Sequence, residues 1–600
     1  MTPTHETTLD TYEDVAARGE WPPLTLDLRP PPPTPSLAAQ LTSVVAPLKS
    51  DDLRRMRATM LERLAFSERY SDSVIEHDLI GLLRHLPDGR VERYSEKLAR
   101  EMAKGRSESA AFGLGRVGDQ RVVVFAMDWD FFAGSFGTVS GEKFQMAVDL
   151  ATSKKLPLVG IYSSSGVRQH ENYAGLVQMS RAVYAVATFR ERSAKPYLSV
   201  LLGQVWGGIS ASVAPLGDVI VAVAGTEYGF SGPNVIEAYE GRKVEPGSQR
   251  VEVHATRRNV DVVVPDEDAA ALLLGRLLDV ARPRKRGRRA ASPPEPAVEP
   301  PEAEVDADGG PPSANGDGPT PEDLYARYQA LVRSGTRPDA RFFAEHVFTD
   351  TVALSGGYAA DGRQHHPAIT AHIGRLGPQP FLVIGTQPSY EPAFDGVKRI
   401  PASPTPADYR YLERMLDMGT RWKLPAVFLA DTLGARPTLE AEHENQMHCI
   451  ANALARGLRY RWPVLTVVIG ALGSGGGLSV APNADYIAML DDSLAFVAEA
   501  RSAASILYKT AEPTRDQVLA TLTTMRATAH DQHELRLVDE VIPSGPSASH
   551  TATRLRAALT EAYRQLQGLS PAQLENRRRR RIRRPGGLKV RHGAPPTGSS

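Results

Sequence analysis

Short apolar runs alternate along this chain with longer stretches in which apolar residues recur at helical spacing. Runs such as "RVVVFAM" and "PAVFLA" are short and rich in β-branched residues, which is typical of buried strands. Stretches such as "SGEKFQMAVDLATSKK", "NYAGLVQMSRAVYAVATFRERS", "DYRYLERMLDMGTRWK" and "EHENQMHCIANALARG" predict helices. The alternation of the two patterns predicts an α/β fold.

The pattern occurs twice. The stretch "KKLPLVGIYSSSGVR" (154–168) has a counterpart in "WKLPAVFLADTLGAR" (422–436), and each runs from Leu-Pro through an apolar strand to a small polar loop that ends on arginine. A second pair begins at Lys195 ("KPYLSVLLGQVWGGISASVAPLGDVIVAV") and at Arg461 ("RWPVLTVVIGALGSGGGLSVAPNADYIAML"). An internal repeat of this length indicates two duplicated domains.

Length and composition divide the chain further. At 600 residues it exceeds what one hydrophobic core usually supports. We predict a Pro-rich disordered arm at 1–50, a first domain at 51–281, a disordered linker at 282–320, a second domain at 321–569 and a basic disordered tail at 570–600. The linker is basic, then acidic, with Pro and Gly throughout, so it cannot bury enough apolar surface to fold. Its basic cluster at 284–289 could bind nucleic acid, although a solvated charge block explains it better.

Charge and cysteine content exclude several classes of protein. The 70 Lys and Arg residues balance 70 Asp and Glu residues, so no overall charge drives binding to nucleic acid or membranes. There is no apolar run long enough to span a bilayer, and the acidic, Pro-rich start lacks the order of a signal peptide, so we expect a cytoplasmic protein. With Cys449 as its single cysteine, the chain has no intramolecular disulfide and no Cys-rich zinc site.

Two glycine-rich turns follow apolar strands at matching positions of the repeat. Glycine lets a ligand approach the main chain closely, and amides at a helix start favour a phosphate or a developing oxyanion. Neither a Gly-Lys-Ser/Thr phosphate loop, nor G-x-G-x-x-G with an acidic residue on the next strand, nor a G-x-S-x-G elbow is present. Plain tight turns remain an alternative, but two matching turns favour paired oxyanion holes (Gly207 and Gly208; Gly473, Gly475, Gly476 and Gly477).

Other polar residues have simpler interpretations. The histidines of "GRQHHPAITAH" lack partners at metal-ligand spacing, and we interpret them as loop or surface residues (His365 and His366). In "AEHENQMHC" the polar residues flank a helix start, where a solvated helix face explains them (Glu442, His443, Glu444 and His448). Cys449 follows on the apolar side of that helix, where an inert core thiol is commoner than a nucleophile.

Specific motifs resemble one enzyme family in both halves. Through "GSFGTVSGEKF", "SSSGVRQHENYAGLVQMSRAVYA", "GGISASVAPLGDVIVA" and "GFSGPNVIE", the first half resembles the β subunit of bacterial acetyl-CoA carboxylase carboxyltransferase. Through "HVFTDTVALSGGYAADGR", "PFLVIGTQ", "LPAVFLADTLGARP", "AEHENQ", "VIGALGSGGGLSV" and "ASILYKT", the second half resembles its α subunit. The resemblance implies a fused β–α chain with two crotonase-like domains, each a ββα superhelix, which explains the repeat.

The resemblance also implies a mechanism. In the family, carboxybiotin on a carrier protein gives up CO2, which the α-carbon of an acyl-CoA captures to give, from acetyl-CoA, malonyl-CoA. By position, Gly207 and Gly208 would hold the thioester oxygen, and Gly476 and Gly477 the ureido oxygen of biotin. Cofactor binding is expected from three further glycines (Gly166, Gly434 and Gly475). The expected partners are a biotin carboxylase, a biotin carboxyl carrier protein and a second copy of the chain, and no zinc is expected.

The chain departs from the family pattern mainly in its second half. "EARS" (499–502) stands where the family usually has Ser-Pro-Glu-Gly, and Gly477 stands where alanine is common. The first half lacks the usual four-cysteine zinc ribbon. Two alternatives therefore stay open: a specialised carboxylase or biotin-independent decarboxylase acting on another acyl thioester or a β-keto acid, and a degenerate scaffold subunit. Both glycine turns are present, which argues against the scaffold.

Overall fold

The computed structural model describes residues 54–57, 60, 68–69, 83–85, 91–104, 108–281, 320–333, 337–354, 367–393, 396–480 and 484–583. The predicted arm at 1–50 lies outside these residues, as does the predicted linker apart from its last residue. The basic cluster at 284–289 and the His365–His366 pair also lie outside them. The described residues all belong to one unit of the fold, residues 45–600.

The first half is built on one mixed sheet. The strands of the first half are β1 (Glu68–Arg69), β2 (Leu83–His85), β3 (Val91–Arg93), β4 (Ala110–Val117), β5 (Gln120–Met127), β6 (Leu158–Ser164), β7 (Tyr197–Trp206), β8 (Val219–Val223), β9 (Glu227–Gly229) and β10 (Val262–Val264). Among the described residues, the sheet has the order β1-β4-β5-β6-β7-β8-β10, and β9 pairs with β7. Strands β4 and β5 are antiparallel, whereas the pairs from β5 to β10 are parallel. A separate hairpin joins β2 and β3.

Helices surround this sheet, as parallel strands joined by crossover connections require. They are α1 (Tyr94–Met102), α2 (Thr138–Lys154), α3 (Asn172–Arg192), α4 (Gly207–Ser210), α5 (Pro233–Glu240), α6 (Val251–Thr256) and α7 (Glu267–Val280). Helix α2 follows the antiparallel pair and α3 follows β6, so each helix lies where the sequence changes from strand to helical spacing.

The second half repeats the arrangement. Its strands are β11 (Thr349–Ala353), β12 (Ile369–Leu376), β13 (Gln379–Thr386), β14 (Ser389–Ala393), β15 (Gly396–Ile400), β16 (Ala426–Thr432), β17 (Val464–Gly473), β18 (Tyr486–Leu490), β19 (Leu494–Phe496) and β20 (Glu540–Ile542). The described strands form a sheet in the order β11-β12-β13-β16-β17-β18-β20, with β19 on β17 and β14–β15 as a separate hairpin.

Among the described residues, the helices of the second half are more numerous than those of the first. They are α8 (Pro321–Arg333), α9 (Ala340–Val347), α10 (Pro406–Trp422), α11 (Leu439–His443), α12 (Gln446–Leu458), α13 (Ser474–Val480), α14 (Ala500–Tyr508), α15 (Arg515–Thr524), α16 (Ala529–Glu534), α17 (Ala548–Leu566) and α18 (Pro571–Arg583). Several begin with a side-chain cap: Thr405, for example, accepts a hydrogen bond from the backbone N–H of Asp408 at the start of α10.

The two sheets have the same strand order, which confirms the prediction of an α/β fold with two repeated units. The equivalent strands β6 and β16 are buried along their whole length, because helices cover both faces of a parallel sheet. Both sheets lie within the predicted domains at 51–281 and 321–569, whose boundaries stay a prediction.

Helix α3 lies between the two halves. It packs against α2 in the first half and against α12, α13 and α18 in the second. Its residues are consequently buried on all sides over most of its length, including Gln178 and Ser180. This helix therefore forms the centre of the contact between the repeats.

The predicted disorder of the basic tail is wrong for residues 571–583, which form α18. Arg578 is fully buried, and its guanidinium donates to both carboxylate oxygens of Asp485 (3.0 and 2.8 Å) and to the carbonyl of Trp462 (2.7 Å). Leu574 and Ile582 are buried beside it. The sequence pattern suggested a solvated arginine run because the buried acceptor for Arg578 lies far away along the chain.

Among the described residues, none of the helices is long and apolar enough to cross a membrane. Across the same residues, no group of three or more His, Cys, Asp and Glu side chains is arranged to hold a metal ion. Cys449 is buried, and burial raises the pKa of its thiol, which disfavours the reactive thiolate at neutral pH.

Candidate active site

The first glycine turn lies directly against the loop that follows β6. Strand β7 ends at Trp206, and Gly207 turns the chain with a φ of +56°. Gly166, in the loop after β6, has a φ of +106°, a region that L side chains rarely adopt. A Cβ placed on Gly166 would stand 3.3 Å from Gly207 Cα and 3.4 Å from the nitrogen of Gly208. The two backbone segments are therefore in contact.

The backbone amide of Val167 faces this turn. On one side of the loop, the N–H of Phe136 donates to the carbonyl of Gly166 (2.8 Å), and the N–H of Arg168 donates to the carbonyl of Phe136 (2.9 Å). Phe136 thus forms a parallel β-bridge with Val167. In such a bridge the N–H and C=O groups of Val167 itself point away from Phe136. That direction leads to Gly208, where a Cβ would stand 3.4 Å from the Val167 nitrogen. The amides of Val167 and Gly208 thus border one small space.

A buried ion-pair network holds the loop in place. Arg168 is fully buried, pairs with Glu108 and Glu171, and donates to the carbonyl of Ser135 (2.9 Å). Burial raises the pKa of Glu171 against the opposing effect of the Arg168 charge. Glu171 in turn accepts a hydrogen bond from the backbone N–H of Thr138 (2.6 Å), at the start of α2. The arginine that closes the repeated motif is therefore an anchor for the Gly166–Val167 segment.

The second turn has the same construction. Gly434, in the loop after β16, has a φ of +132°, and Ser474, directly after β17, has a φ of +57°. A Cβ on Gly434 would stand 2.2 Å from Ser474 Oγ, and one on Gly476 would stand 2.2 Å from the Ala435 nitrogen. Like Gly207, Ser474 is the first residue after its strand, and the two residues have nearly the same φ. Gly475 is therefore the structural counterpart of Gly208.

Gly477 lies further into the helix. It is the fourth residue of α13, where an amide pairs with the carbonyl one turn earlier, here that of Gly473. A Cβ on Gly477 would meet side chains of its own half, Leu472 at 3.3 Å and Thr432 at 3.4 Å. The Cβ position of Gly475, in contrast, faces Met179 and Phe230 of the first half.

The two turns meet across two side chains of the first half. A Cβ on Gly208 would stand 3.5 Å from Met179 Cγ, whereas one on Gly475 would stand 2.6 Å from Met179 Cε and 3.8 Å from Phe230 Cε2. The carbonyl oxygen of Phe230 would lie 3.9 Å from a Cβ on Gly207. Met179, on α3, thus reaches from one glycine turn to the other within a single chain.

Comparison with known proteins decides the family. The chain is 32% identical over 529 residues to the acetyl-coenzyme A carboxylase carboxyl transferase subunits beta/alpha of Saccharopolyspora erythraea, covering 86% of this chain and 86% of the relative. It is 33% identical over 538 residues to the protein of the same name from Salinispora tropica, covering 87% and 89%. This chain belongs to the acetyl-coenzyme A carboxylase carboxyl transferase family. The resemblance inferred from the sequence motifs is confirmed.

The chain is also similar to a family profile and to two solved structures. A family profile described as acetyl co-enzyme A carboxylase carboxyltransferase-like matches residues 324–586. Among solved structures, the chain is similar to transcarboxylase 12S with hydrolysed methylmalonyl-coenzyme A bound, at 19% identity and a TM-score of 0.32, covering 85% of this chain and 89% of that one. A single-chain, multi-domain long-chain acyl-CoA carboxylase matches with 17% identity and a TM-score of 0.31, covering 85% and 48%.

In this carboxyl transferase, Glu442 is not on a solvated helix face as predicted. It is fully buried between the halves, where Oε1 accepts a hydrogen bond from the N–H of Ser231 and Oε2 accepts one from Gln249 Nε2, both at 2.7 Å. His443 and His448 likewise contact carbonyls of the first half at 3.0 Å. Of this group, Glu444 alone is exposed. Their partners belong to the other repeat, so local sequence periodicity could not reveal them.

Glu442 also supports the first turn. Its Oε2 would stand 2.6 Å from a Cβ on Gly229, a residue that pairs with Trp206 between β9 and β7. Ser210 Oγ, in α4, donates to the carbonyl of Gly229 (2.7 Å). A carboxyl group of the second half therefore lies directly behind the glycine turn of the first half.

The carboxyl of Glu442 makes stability depend on pH. Burial raises its pKa from 4.5 to about 8, although the hydrogen bonds from Ser231 and Gln249 lower it. Between these values the folded chain binds a proton that the unfolded chain has lost, so this contribution to stability is full below pH 4.5 and is lost as the pH rises through about 8.

We expect Glu442→Gln to remove most of this dependence, about 3–5 kcal/mol of unfolding free energy, since the pKa is raised by about 3.5 units and one unit corresponds to about 1.4 kcal/mol. The measurement is the melting temperature of both proteins from about pH 5 to pH 8.5. Glu444→Gln, which changes the exposed neighbour, is the matched control and should leave the slope unchanged. If the melting temperature fell equally with pH in Glu442→Gln and in the unmodified chain, Glu442 would not be the group responsible.

Proposed function

We propose that this chain is the carboxyltransferase component of a biotin-dependent acyl-CoA carboxylase. It would transfer CO2 from carboxybiotin on a separate carrier protein to acetyl-CoA, or a related acyl-CoA, to give malonyl-CoA. The observation that supports this most directly is the convergence of two equivalent glycine turns, one from each half, on the space crossed by Met179. Two facing oxyanion sites suit a reaction in which one site holds the thioester oxygen of the acyl-CoA and the other holds the ureido oxygen of biotin.

The first turn is proposed to act on the thioester. When the α-proton of an acyl-CoA leaves, negative charge develops on the thioester oxygen, and preorganised N–H donors stabilise it. The amides of Val167 and Gly208 border one space and can donate to a single oxygen. The residues around these two amides then have simple roles: Gly166 and Gly207 allow the close approach of the two backbone segments, and Arg168 anchors the loop.

The second turn is proposed to hold the ureido oxygen of biotin. Because Gly475 and Gly476 carry no side chains, Met179 and the Ala435 nitrogen lie closer to the backbone of this turn than a Cβ would allow. Gly434 permits the loop to approach Ser474. Bound here, carboxybiotin would supply the CO2 that the α-carbon captures and a ureido nitrogen able to take the α-proton, while the turn would hold its ureido oxygen. We assign this role to Gly475 and Gly476 rather than to Gly477.

The remaining features of the proposal follow from the family. We propose that a separate biotin carboxylase and biotin carboxyl carrier protein work with this chain, in the cytoplasm, as part of fatty acid biosynthesis. We also propose at least a homodimer. The structure brings both turns together within one chain, so the dimer is not needed to supply a missing turn.

Reconstitution tests the proposal. The full chain, mixed with a biotin carboxylase and a biotinylated carrier protein, should form malonyl-CoA from acetyl-CoA in a reaction that requires ATP and bicarbonate. Product is measured by chromatography of the CoA esters, and omission of the carrier is the control. Release of CO2 from malonyl-CoA without any biotin requirement, together with no product in the reconstituted reaction, would favour the decarboxylase alternative.

A further inference from the structure

One side chain between the two turns has no role in the mechanism above. Met179 lies on α3 and is fully buried. Its Cγ lies on the side of Gly208, and its Sδ and Cε lie on the side of Gly475, at 2.9 and 2.6 Å from the position of a Cβ on that residue. The thioether therefore crosses the space in which the two reacting groups have to meet.

We infer that Met179 limits the acyl group of the substrate to one without a substituent on its α-carbon, that is, to acetyl thioesters. This inference rests on the proposed function. With the thioester oxygen at the first turn, the α-carbon has to face the second turn, where CO2 arrives. Any group attached to the α-carbon then extends into the space that the Met179 side chain crosses.

The chemistry of methionine suits this role. Its unbranched side chain has three rotatable bonds and a polarisable sulfur, so it adapts to a small neighbour without leaving a void. An acetyl group has only hydrogens on its α-carbon and needs a small displacement of the thioether. A propionyl or butyryl group adds carbons at that position and has to displace the side chain from a packed core, which costs free energy.

The test compares Met179→Ala with the unmodified chain, using the transfer of a carboxyl group to acetyl-CoA and to butyryl-CoA in the reconstituted reaction. Loss of Cγ, Sδ and Cε opens the space between the turns. We expect kcat/KM for butyryl-CoA relative to acetyl-CoA to rise by about tenfold or more, since one methylene in an apolar pocket typically changes discrimination by about 10–200-fold. Met415→Ala is the matched control, because Met415 is a buried methionine on α10 of the second half.

A second variant protects the test against poor folding. Met179→Val removes less volume and should shift the ratio in the same direction by a smaller factor, with thermal melting as the check on folding. A ratio that stays at the unmodified value in folded Met179→Ala or Met179→Val, or that shifts equally in Met415→Ala, would overturn the inference. So would an unmodified chain that prefers butyryl-CoA, although carboxyl transfer itself would then stand. An unmodified chain that carboxylates neither ester would instead remove the proposed function, and this inference with it.

Discussion

Gly208→Val should lower carboxyl transfer to acetyl-CoA by about 10²–10³-fold, which corresponds to the roughly 3–4 kcal/mol typical of one lost oxyanion donor. A Cβ at this position would stand 2.3 Å from Val167 Cγ2 and 3.4 Å from the Val167 nitrogen. The new side chain would therefore occupy the space that the thioester oxygen needs and push the two amides apart. Every reaction that passes through the enolate should suffer, including decarboxylation of malonyl-CoA.

The control for this variant is Gly275→Ala. Gly275 lies on α7, and the nearest atom to a Cβ there is Val117 Cγ1 at 3.9 Å, an ordinary contact. Alanine also favours a helix more than glycine does, so the control should melt at or above the temperature of the unmodified chain. Near-normal turnover in a folded Gly208→Val protein would mean that the first turn is a tight turn and nothing more.

Gly475→Val should distinguish the role of the second turn from that of the first. Its Cβ would meet the end of the Met179 side chain, which can move, so the backbone of the turn should survive. We expect transfer that involves biotin to fall by about 10²–10³-fold, as for one oxyanion donor. Decarboxylation of malonyl-CoA in the absence of biotin depends on the first turn and should keep most of its rate.

Gly477→Ala serves as the control for the second turn. Its Cβ would have to displace Leu472 by only a few tenths of an ångström and would make an ordinary contact with Thr432, both in its own half. We therefore expect little change in either reaction. Equal losses in biotin-dependent transfer for Gly477→Ala and Gly475→Val would show that the structural correspondence of Gly475 with Gly208 does not describe the biotin site.

The sequence predicts those parts of the molecule that local patterns determine. Apolar runs after Leu-Pro predict β6 and β16, and the glycine turns after β7 and β17 are visible because each position needs a small residue or a positive φ. Ser474 shows the limit of this reasoning, because its φ of +57° matches that of Gly207 although its residue type does not. Alignment by glycine alone therefore points to Gly476 and Gly477, whereas the pair that we propose from the structure, Gly475 and Gly476, begins one residue earlier.

Contacts between the repeats could not be predicted from one sequence. Met179 belongs to a helix with small and apolar residues on all sides, which shows burial but not which partner covers each face. Glu442 and Arg578 appear in charged stretches that suggest solvent exposure, yet both are buried against distant parts of the chain. Glu442 accepts a hydrogen bond from Ser231 of the first half, whereas Arg578 donates to Asp485 of its own half. The residues that join the halves are for this reason the ones that the motifs did not reveal.

The central claim is that two glycine turns, one from each half, act on a single carboxyl transfer within this chain. The most direct measurement is the carboxylation of free biotin by radiolabelled malonyl-CoA, catalysed by the purified full chain without carrier or carboxylase. The account predicts label in carboxybiotin together with acetyl-CoA formation, and loss of that label in both Gly208→Val and Gly475→Val. Acetyl-CoA formation at the same rate with and without biotin, and no label in biotin, would contradict it.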